Sequence, residues 1–340
     1  MGQDVIDVHI HFGAPEDGQS GCYWSKEFEE SLAFLAMRLV TDSLFKKVTF
    51  QGVKDRLLRV INRSQYVAKS VLLALDEVYD ENGQVHRDLT HLCVPNDCII
   101  EIAAANPRVL FGASVHPYRP DWEARLDECL ENKAVLCKWV PSSQRIDPQH
   151  SKCLPFYKKL AETGLPLLCH VGPEKAIPPF DDALQNVNRP SLLRTALDTG
   201  VTVIMAHAAL PLLPPPLEDD SYFRELVALV EEADARDKDE AAKKWRLYAD
   251  LSAINLGPRN FYIDEVKKHI PVERLIFGSD YPIPILDISQ KPHISIWHWL
   301  KHFFQTVAAK NPLDKNYLLI KNMDFGDALF TNASGILRLG

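Results

Sequence analysis

The sequence predicts an α/β fold with parallel strands, arranged either as a barrel or as a doubly wound sheet. Short apolar runs of strand length alternate with longer amphipathic stretches along the 340 residues. The runs consist almost continuously of Val, Ile and Leu, as expected of strands that are buried on both faces. There are eight of them: Val5–Ile10, Lys69–Leu75, Val109–Val115, Val135–Val140, Pro166–His170, Val201–Ala206, Leu247–Ser252 and Arg274–Gly278.

The amphipathic stretches between the runs predict helices. Two of them end at Gly164 and Gly200, a residue type that commonly ends a helix before the next strand begins. The stretch Tyr222–Lys244 is rich in charged residues and is typical of an outer helix exposed to solvent. The predicted helices are Trp122–Asn132, Cys153–Thr163, Ser191–Thr199, Tyr222–Lys244 and Tyr262–His269.

Three connections are longer than a strand–helix unit needs: residues 12–66, 207–221 and 281–323. Each follows the carboxyl end of a predicted strand, which in a barrel is the active-site face. We therefore expect them to form lids or walls of a substrate site. Within the third, His298 and His302 are four residues apart, but the apolar residues around them favour a helix packed on the barrel over a second metal site.

Composition excludes several classes of protein. A net charge of -8 and a pI near 5.8 do not fit a nucleic-acid or anionic-membrane surface. From the residues at its start we expect no signal peptide, and no apolar run of the sequence reaches the roughly 18 residues that a membrane helix needs. The seven cysteines have irregular spacing, which predicts reduced, buried thiols in a cytoplasmic protein. A homodimer is expected only because it is the commonest closed assembly.

The first predicted strand carries two histidines at its end. In Asp7-Val8-His9-Ile10-His11, alternate residues point to the same side, so His9 and His11 project together. Two neutral imidazoles on one strand end can hold a metal ion. Taken alone, this pair is equally compatible with two ordinary polar residues at the end of a strand.

Three other strands also end in a titratable residue. His170 ends the fifth apolar run, His207 the sixth and Asp280 the eighth. Such groups are costly at the end of a buried strand unless they are paired or bind a metal. A ring of metal ligands over a barrel mouth explains all of them. Three histidines and one carboxylate suit Zn²⁺, with Mn²⁺, Fe²⁺ or Co²⁺ as alternatives.

Ordered motifs along nearly the whole chain resemble the amidohydrolase superfamily, and within it the amidohydrolase-2 branch of metal-dependent hydrolases and decarboxylases. The motifs are DVHIHFG, AVLCKWVP, LPFYKKLAETGLPLLCHVG, VIMAHAA, RLIFGSDYPIP and FTNASGILRL. The resemblance implies one domain over residues 1–340, a single (β/α)₈ TIM barrel with long insertions at 12–66 and 281–323. It also implies one divalent metal on the carboxyl-terminal face of the barrel.

The resemblance assigns roles to the motif residues. It implies that His9, His11, His170 and Asp280 bind the metal, and that Asp280 also accepts a proton from the metal's water. His207 is implied to be a catalytic residue beside the metal or a ligand to a second ion. Asp7 is expected to support the first strand or orient a ligand histidine, and Asp250 is expected to act similarly or to bond a neighbouring loop.

Lys138 has three interpretations. It ends the fourth strand, where some binuclear relatives carry a carboxylated lysine that bridges two metals. A partner for a substrate carboxylate and a structural ion pair are the alternatives. Four further cations follow the strands and, in an acidic protein, suggest a small anionic substrate: Arg119, Arg145, Lys175 and Arg259.

Three functions fit these residues. The first is hydrolysis of a C–N or C–O bond in an amide, lactone or related ester, with Asp280 taking a proton from a metal-activated water and His207 stabilising the developing charge. The second is non-oxidative decarboxylation of a small carboxylic acid at the same site. The third is a ligand-binding barrel without catalysis, which is disfavoured because every ligand position holds a competent residue.

Overall fold

Eight parallel strands form one sheet that curls into a nearly closed barrel, as the resemblance implies. The computed structural model describes residues 5–41, 47–213, 216–283 and 305–340. We name the barrel strands β1 to β8: Val5–His11, Val67–Leu73, Val109–Ala113, Leu136–Trp139, Leu167–Cys169, Val203–Met205, Leu247–Asp250 and Leu275–Ile276. Each pairs with the next along the chain.

Hydrogen bonds between β1 and the segment after β8 bring the two ends of the sheet together. The amide of Val8 donates to the carbonyl of Phe277 at 3.2 Å, and the amide of His11 donates to the carbonyl of Tyr281 at 2.9 Å. A doubly wound sheet would leave these edges apart. The barrel is therefore the correct alternative of the two that the alternating pattern allowed.

All eight predicted runs are strands of this barrel, although most strands are shorter than the runs. β5, for example, spans Leu167–Cys169 within the predicted Pro166–His170. Apolar patterning shows which residues are buried, whereas the strand ends depend on where backbone pairing stops. A separate two-stranded antiparallel ribbon, Tyr23–Trp24 with Leu92–Cys93, has no counterpart among the predicted strands.

The described residues form fourteen α-helices, named α1 to α14. None of them is long and apolar enough to cross a membrane. They are Lys26–Glu29, Leu32–Val40, Phe50–Arg63, Asn96–Ala104, Trp122–Glu131, Pro141–Gln144, Cys153–Thr163, Asp182–Gln185, Arg194–Thr199, Ser221–Lys238, Ile263–His269, Pro312–Asn322, Ala328–Thr331 and Ala333–Ile336.

The predicted helices agree with the structure best where a stop residue follows. α7 has the predicted bounds, and Gly164 after it has a φ of 66°, a left-handed conformation that favours glycine. The long outer helix, α10, ends at Lys238 and not at the predicted Lys244. No glycine or proline marks that end, so the charged sequence 239–244 looked helical in the pattern alone.

Two apolar clusters lie on the two faces of the barrel sheet. The larger joins strand residues to helix residues such as Leu160 and Leu226. The smaller contains alternate strand residues, among them Leu136, Leu168 and Ile204, together with residues of α14. Because the helices pack on the outside, the smaller cluster fills the inside of the barrel.

The predicted insertions are described only in part. The stretch 12–66 contains α1, α2 and α3, whereas residues 42–46 and 284–304, including His298 and His302, lie outside the described residues. The two insertions therefore stay predictions. The seven cysteines are all free and buried, as predicted.

Candidate metal centre

His9, His11 and Asp280 converge at the mouth of the barrel. Nε2 of His9 lies 3.1 Å from Nε2 of His11. Oδ1 of Asp280 lies 3.1 Å from Nε2 of His11 and 3.6 Å from Nε2 of His9. Three atoms with lone pairs thus point at one small volume.

These separations fit a shared metal ion. In a tetrahedral zinc site with bonds of about 2.0–2.1 Å, neighbouring ligand atoms lie about 3.3 Å apart. Metal ligation also requires neutral imidazoles. Burial lowers the pKa of His9 well below its usual value, so its ring is neutral in the folded protein. The side chains of His9, His11 and Asp280 could therefore hold a divalent ion.

His170 follows β5 and lines the same cavity, but it lies outside the close group formed by the donor atoms of His9, His11 and Asp280. Its Nε2 is fully buried and has no hydrogen-bond partner among the described residues, which is costly for a polar atom unless a ligand satisfies it. Its other nitrogen, Nδ1, lies 3.3 Å from Oε2 of the buried Glu174. Burial lowers the pKa of His170, which again favours the neutral ring. In the sequence, only the spacing of four positions between His170 and Glu174 could have indicated that their side chains are in contact.

The barrel interior delivers several of these side chains by simple alternation. Leu136 and Leu168 belong to the interior cluster, and Lys138 and His170 follow them by two residues. Tyr248 packs against the same cluster and Asp250 follows it by two residues. Alternate residues of a strand point to one face, so the interior apolar positions lead directly to the polar ones at the carboxyl ends.

Asp250 and Ser252 hold His9 from behind. Oδ2 of Asp250 lies 2.9 Å from Nδ1 of His9, and Oγ of Ser252 lies 3.1 Å from the same nitrogen. A carboxylate only accepts, so Nδ1 carries the proton and Nε2 presents its lone pair towards His11 and Asp280. Sequence analysis expected a supporting role for Asp250 as one alternative but did not identify Ser252.

His207 lies beside this group. Its ring stacks on that of His9 with centroids 5.0 Å apart, and its Nδ1 lies 2.7 Å from Oγ of Ser252 and 3.9 Å from Oδ2 of Asp280. Burial lowers the pKa of His207 well below its usual value. The backbone amide of His207 donates to Oδ1 of Asp250 at 3.0 Å, so one carboxylate contacts the ring of His9 and the backbone of His207.

Backbone strain and close packing accompany the site. His207 has a φ of 57° and Asp280 a φ of 61°, which are rare values for residues with side chains and are found mainly where function requires them. A Cβ at Gly278 would lie 3.0 Å from Cβ of His9 and 3.1 Å from Cβ of Ser252. Glycine at this position lets the end of β8 approach β1 and β7.

A family model described as amidohydrolase matches residues 6–314. The chain is a member of the amidohydrolase family. Its members are metal-dependent hydrolases or decarboxylases, so this chain is an enzyme of that type. The resemblance noted in the sequence is therefore confirmed. No curated protein matches the chain.

Solved structures share the barrel at low identity. An uncharacterized TIM-barrel protein from Bordetella bronchiseptica is 14% identical, with a TM-score of 0.55 over 97% of this chain and 100% of the other. An amidohydrolase from Burkholderia multivorans with bound HEPES is 14% identical, with a TM-score of 0.53 over 97% and 98%. A probable 2-pyrone-4,6-dicarboxylic acid hydrolase from Acinetobacter baumannii with bound citric acid is 13% identical, with a TM-score of 0.51 over 94% and 99%.

Lys138 is buried next to His9 in this amidohydrolase. Its Nζ lies 3.3 Å from Nε2 of His9, and burial lowers its pKa. Among residues 5–41, 47–213, 216–283 and 305–340, no carboxylate forms an ion pair with it. This position leaves room for a role towards a metal or a substrate.

The four other cations of the amidohydrolase occupy different places. Arg259 is buried and lines the cavity that contains the metal-site side chains. Lys175 lines the same cavity but is exposed. Arg119 instead pairs with Asp76 at 3.0 Å and with Asp121 at 2.9 Å, away from the lining of that cavity. Arg145 is exposed and is also absent from the lining.

Asp7 supports the strand ends of this amidohydrolase. Its Oδ1 accepts from the amides of His9 at 3.1 Å and Ser279 at 2.9 Å, so it ties β1 to the turn after β8. Burial raises the pKa of Asp7 to about 7. Of the two roles expected for Asp7, the structure shows support of the strand.

Proposed function

We propose that this amidohydrolase binds one divalent metal ion, Zn²⁺ in the first place, through His9, His11, His170 and Asp280. The observation that carries the proposal is the convergence of Nε2 of His9, Nε2 of His11 and Oδ1 of Asp280. In the same cavity, Nε2 of His170 is buried and has no hydrogen-bond partner within the part of the chain that the structure describes. Three nitrogens and one carboxylate oxygen suit Zn²⁺, and Mn²⁺, Fe²⁺ or Co²⁺ are the alternatives.

The proposed reaction is hydrolysis of a C–N or C–O bond in an amide, lactone or related ester. When bound, the metal ion would polarise the substrate carbonyl and lower the pKa of a water molecule towards about 7. Asp280 accepts the proton of the attacking water, since its carboxylate lies at the centre of the site. His207 stabilises the developing negative charge from its place next to Oδ2 of Asp280.

Buried cations support a small anionic substrate. Arg259 is buried, and its Nε donates to the carbonyl of Pro211 at 3.3 Å. Among the described residues it has no carboxylate partner at ion-pair distance, although Asp280 and Glu174 attract it through space. A buried guanidinium without a paired carboxylate is costly, and a substrate carboxylate would satisfy it.

Decarboxylation of a small carboxylic acid is the second candidate. Lys138 and Arg259 are both buried beside the ligand set, so a carboxylate could be held directly at the reacting position. The ligands are the same for both reactions. Only the products distinguish them, because hydrolysis releases an amine or alcohol and decarboxylation releases CO₂.

The test begins with the metal content of the purified protein, measured by plasma mass spectrometry. We expect about one equivalent of zinc per chain, lost together with turnover in His170→Ala and Asp280→Ala. His269→Ala is the matched control, because this histidine lies on α11 and pairs with Glu265. Absence of metal after reconstitution, or full metal content in both site variants, would contradict the proposal.

Turnover is then measured on a panel of lactones, amides, esters and carboxylic acids. The panel includes 2-pyrone-4,6-dicarboxylic acid, because one structurally similar protein is described as a probable hydrolase of this compound. CO₂ release without hydrolysis would replace the first reaction by the second. Two metal equivalents would replace the mononuclear site by one that includes Lys138 or His207.

A further inference from the structure

The cavity at the metal centre extends far beyond the polar residues. It has a volume of about 670 Å³, within the range of roughly 300–1,000 Å³ found for small-molecule sites. One end is lined by Lys138, His170 and Asp280. The other end is lined by six apolar side chains, which we call the apolar arm: Phe12, Trp24, Phe28, Phe34, Met37 and Leu57.

We propose that the substrate of this enzyme is an amphipathic anion, with its reacting carbonyl at the metal centre and a bulky apolar group in the apolar arm. The inference rests on the proposed function for the reaction, but the apolar arm itself is a separate feature. A small polar dicarboxylic acid would leave this surface in contact with water, whereas an alkyl or aryl group would bury it.

The apolar arm is built as a preformed site. The ring of Phe34 lies at 4.9 Å from that of Trp24 and at 5.3 Å from that of Phe28, both in edge-to-face geometry. The hydroxyls of Ser25 and Ser31 accept from the amides of Phe28 and Phe34, each at 3.1 Å, and so cap α1 and α2. The aromatic side chains are thus fixed before any ligand arrives.

The charges of the cavity complement this occupant. The buried Arg259 lines this cavity together with His170 and Asp280. Glu174 already accepts from the amides of Ala176 at 2.6 Å and Ile177 at 2.9 Å and faces His170. The carboxylates of the site are therefore engaged, and Arg259 is the group that a substrate anion would meet.

Helix α2 lines the cavity with both small and large residues, whereas Leu35 and Leu39 of the same helix are exposed to solvent. Ala33 and Ala36 line the cavity, together with Met37 of the apolar arm. Leu35 of the same helix is 46% exposed and is absent from the lining. A large side chain introduced at Ala36 would occupy the space proposed for the ligand, whereas the same side chain at Leu35 would point to solvent.

The test measures binding without requiring turnover. Straight-chain carboxylates from hexanoate to dodecanoate are titrated into the metal-loaded protein by isothermal titration calorimetry. We expect one molecule per chain and an affinity that rises about fourfold with each added methylene. In Ala36→Trp, dodecanoate should bind at least tenfold more weakly than to the wild type, while Leu35→Trp should bind it unchanged.

Ala33→Leu is a milder second variant in case Ala36→Trp does not fold, and circular dichroism monitors folding of both. Ala33→Leu should weaken the binding of dodecanoate more than the binding of hexanoate. Affinity independent of chain length, or equal losses in Ala36→Trp and Leu35→Trp, would overturn the inference. Length-dependent binding in a protein that proves to lack metal and turnover would refute the proposed reaction and leave the apolar arm in place.

Discussion

Oδ2 of Asp250 lies 2.9 Å from Nδ1 of His9, and both side chains are fully buried. This contact fixes which nitrogen of His9 carries the proton. Nδ1 is protonated, and the unprotonated Nε2 faces His11 and Asp280. Asp250 also accepts from the amides of His207 and Ser252, at 3.0 and 2.9 Å. One carboxylate from β7 thus contacts the ring of His9 on β1 and the backbone of His207 beyond the end of β6.

Asp250→Asn should therefore weaken metal retention and turnover about 10- to 100-fold, which is the usual cost of losing such a supporting contact. The amide group can donate to Nδ1 of His9 and so move the ring proton to Nε2, where it blocks ligation. Metal affinity is measured by competition with a chelator. Asp127→Asn, a surface residue paired with Lys159, is the control. Equal metal affinity in both variants would show that Asp250 does not set the tautomer of His9.

Glu174→Gln should produce a related defect on the opposite side of the site. The glutamine can keep the backbone contacts to Ala176 and Ile177 through one oxygen, but its amide would face Nδ1 of His170 in place of a carboxylate. We expect a 10- to 100-fold loss of metal affinity with little change in thermal stability of the metal-free protein. A loss of stability with unchanged metal affinity would instead make Glu174 a purely structural residue of its turn.

The sequence predicted the parts of this site that depend on one strand. The pair His9 and His11 follows from alternation along β1, and its two nitrogens do converge. The meeting of β1 with Asp280 depends on closure of the barrel, which apolar patterning alone left undecided between two folds. The closed barrel was predicted from the ordered motifs, because their resemblance to a family implied it. The resemblance gives no physical reason for the closure.

Contacts between distant loops were not predictable. Arg119 was a candidate for substrate binding because it follows a strand, yet its partner Asp76 is 43 residues away in the sequence. Ser252 is an ordinary serine in the sequence, and only closure of the barrel, in which β8 lies between β7 and β1, brings its hydroxyl to His9 and His207. The apolar arm was equally hidden, because its aromatic residues belong to a stretch that was predicted only as a possible lid or wall.

His116 should make the protein less stable in acid. Its Nε2 donates to the carbonyl of Gln144 at 2.9 Å and its Nδ1 accepts from the amide of Tyr118 at 3.2 Å, so the neutral ring is fully satisfied. Burial lowers its pKa to about 3 from an ordinary value near 6.5. Below pH 6.5 the unfolded state binds a proton that the folded state refuses. Stability is therefore lost as the pH falls from 6.5 towards 3.

The size of this effect follows from the linkage. A single proton contributes about 1.4 kcal/mol to the free energy of unfolding for each pH unit. His116→Gln should lose less stability than the wild type between pH 6 and pH 4, measured by urea unfolding at four pH values. The buried histidines of the metal centre are present in both proteins and cancel in the difference. Parallel curves for the two proteins would mean that His116 titrates normally in the folded state.

Arg274, which precedes β8, should contribute more to stability through its contacts with α10 than a surface ion pair of α10 does. It is buried, and it donates to Asp234 and Asp237 of α10 at 2.7 Å each and to the carbonyl of Leu247 at 3.1 Å. It thereby joins α10 to the starts of β7 and β8. Arg274→Met keeps the apolar stem but removes all three bonds, and we expect a loss of about 2 kcal/mol in the free energy of unfolding.

Arg224→Met provides the matched comparison for Arg274. Arg224 lies on α10 itself and pairs with an aspartate, Asp220, but its side chain is 70% exposed. Water already solvates both groups of that pair, so its loss should cost less than about 1 kcal/mol. Equilibrium unfolding in urea measures both variants under the same conditions. If the two losses were equal, burial would not be the reason that the Arg274 contacts stabilise the barrel, and the carbonyl of Leu247 would have to find another donor in the variant.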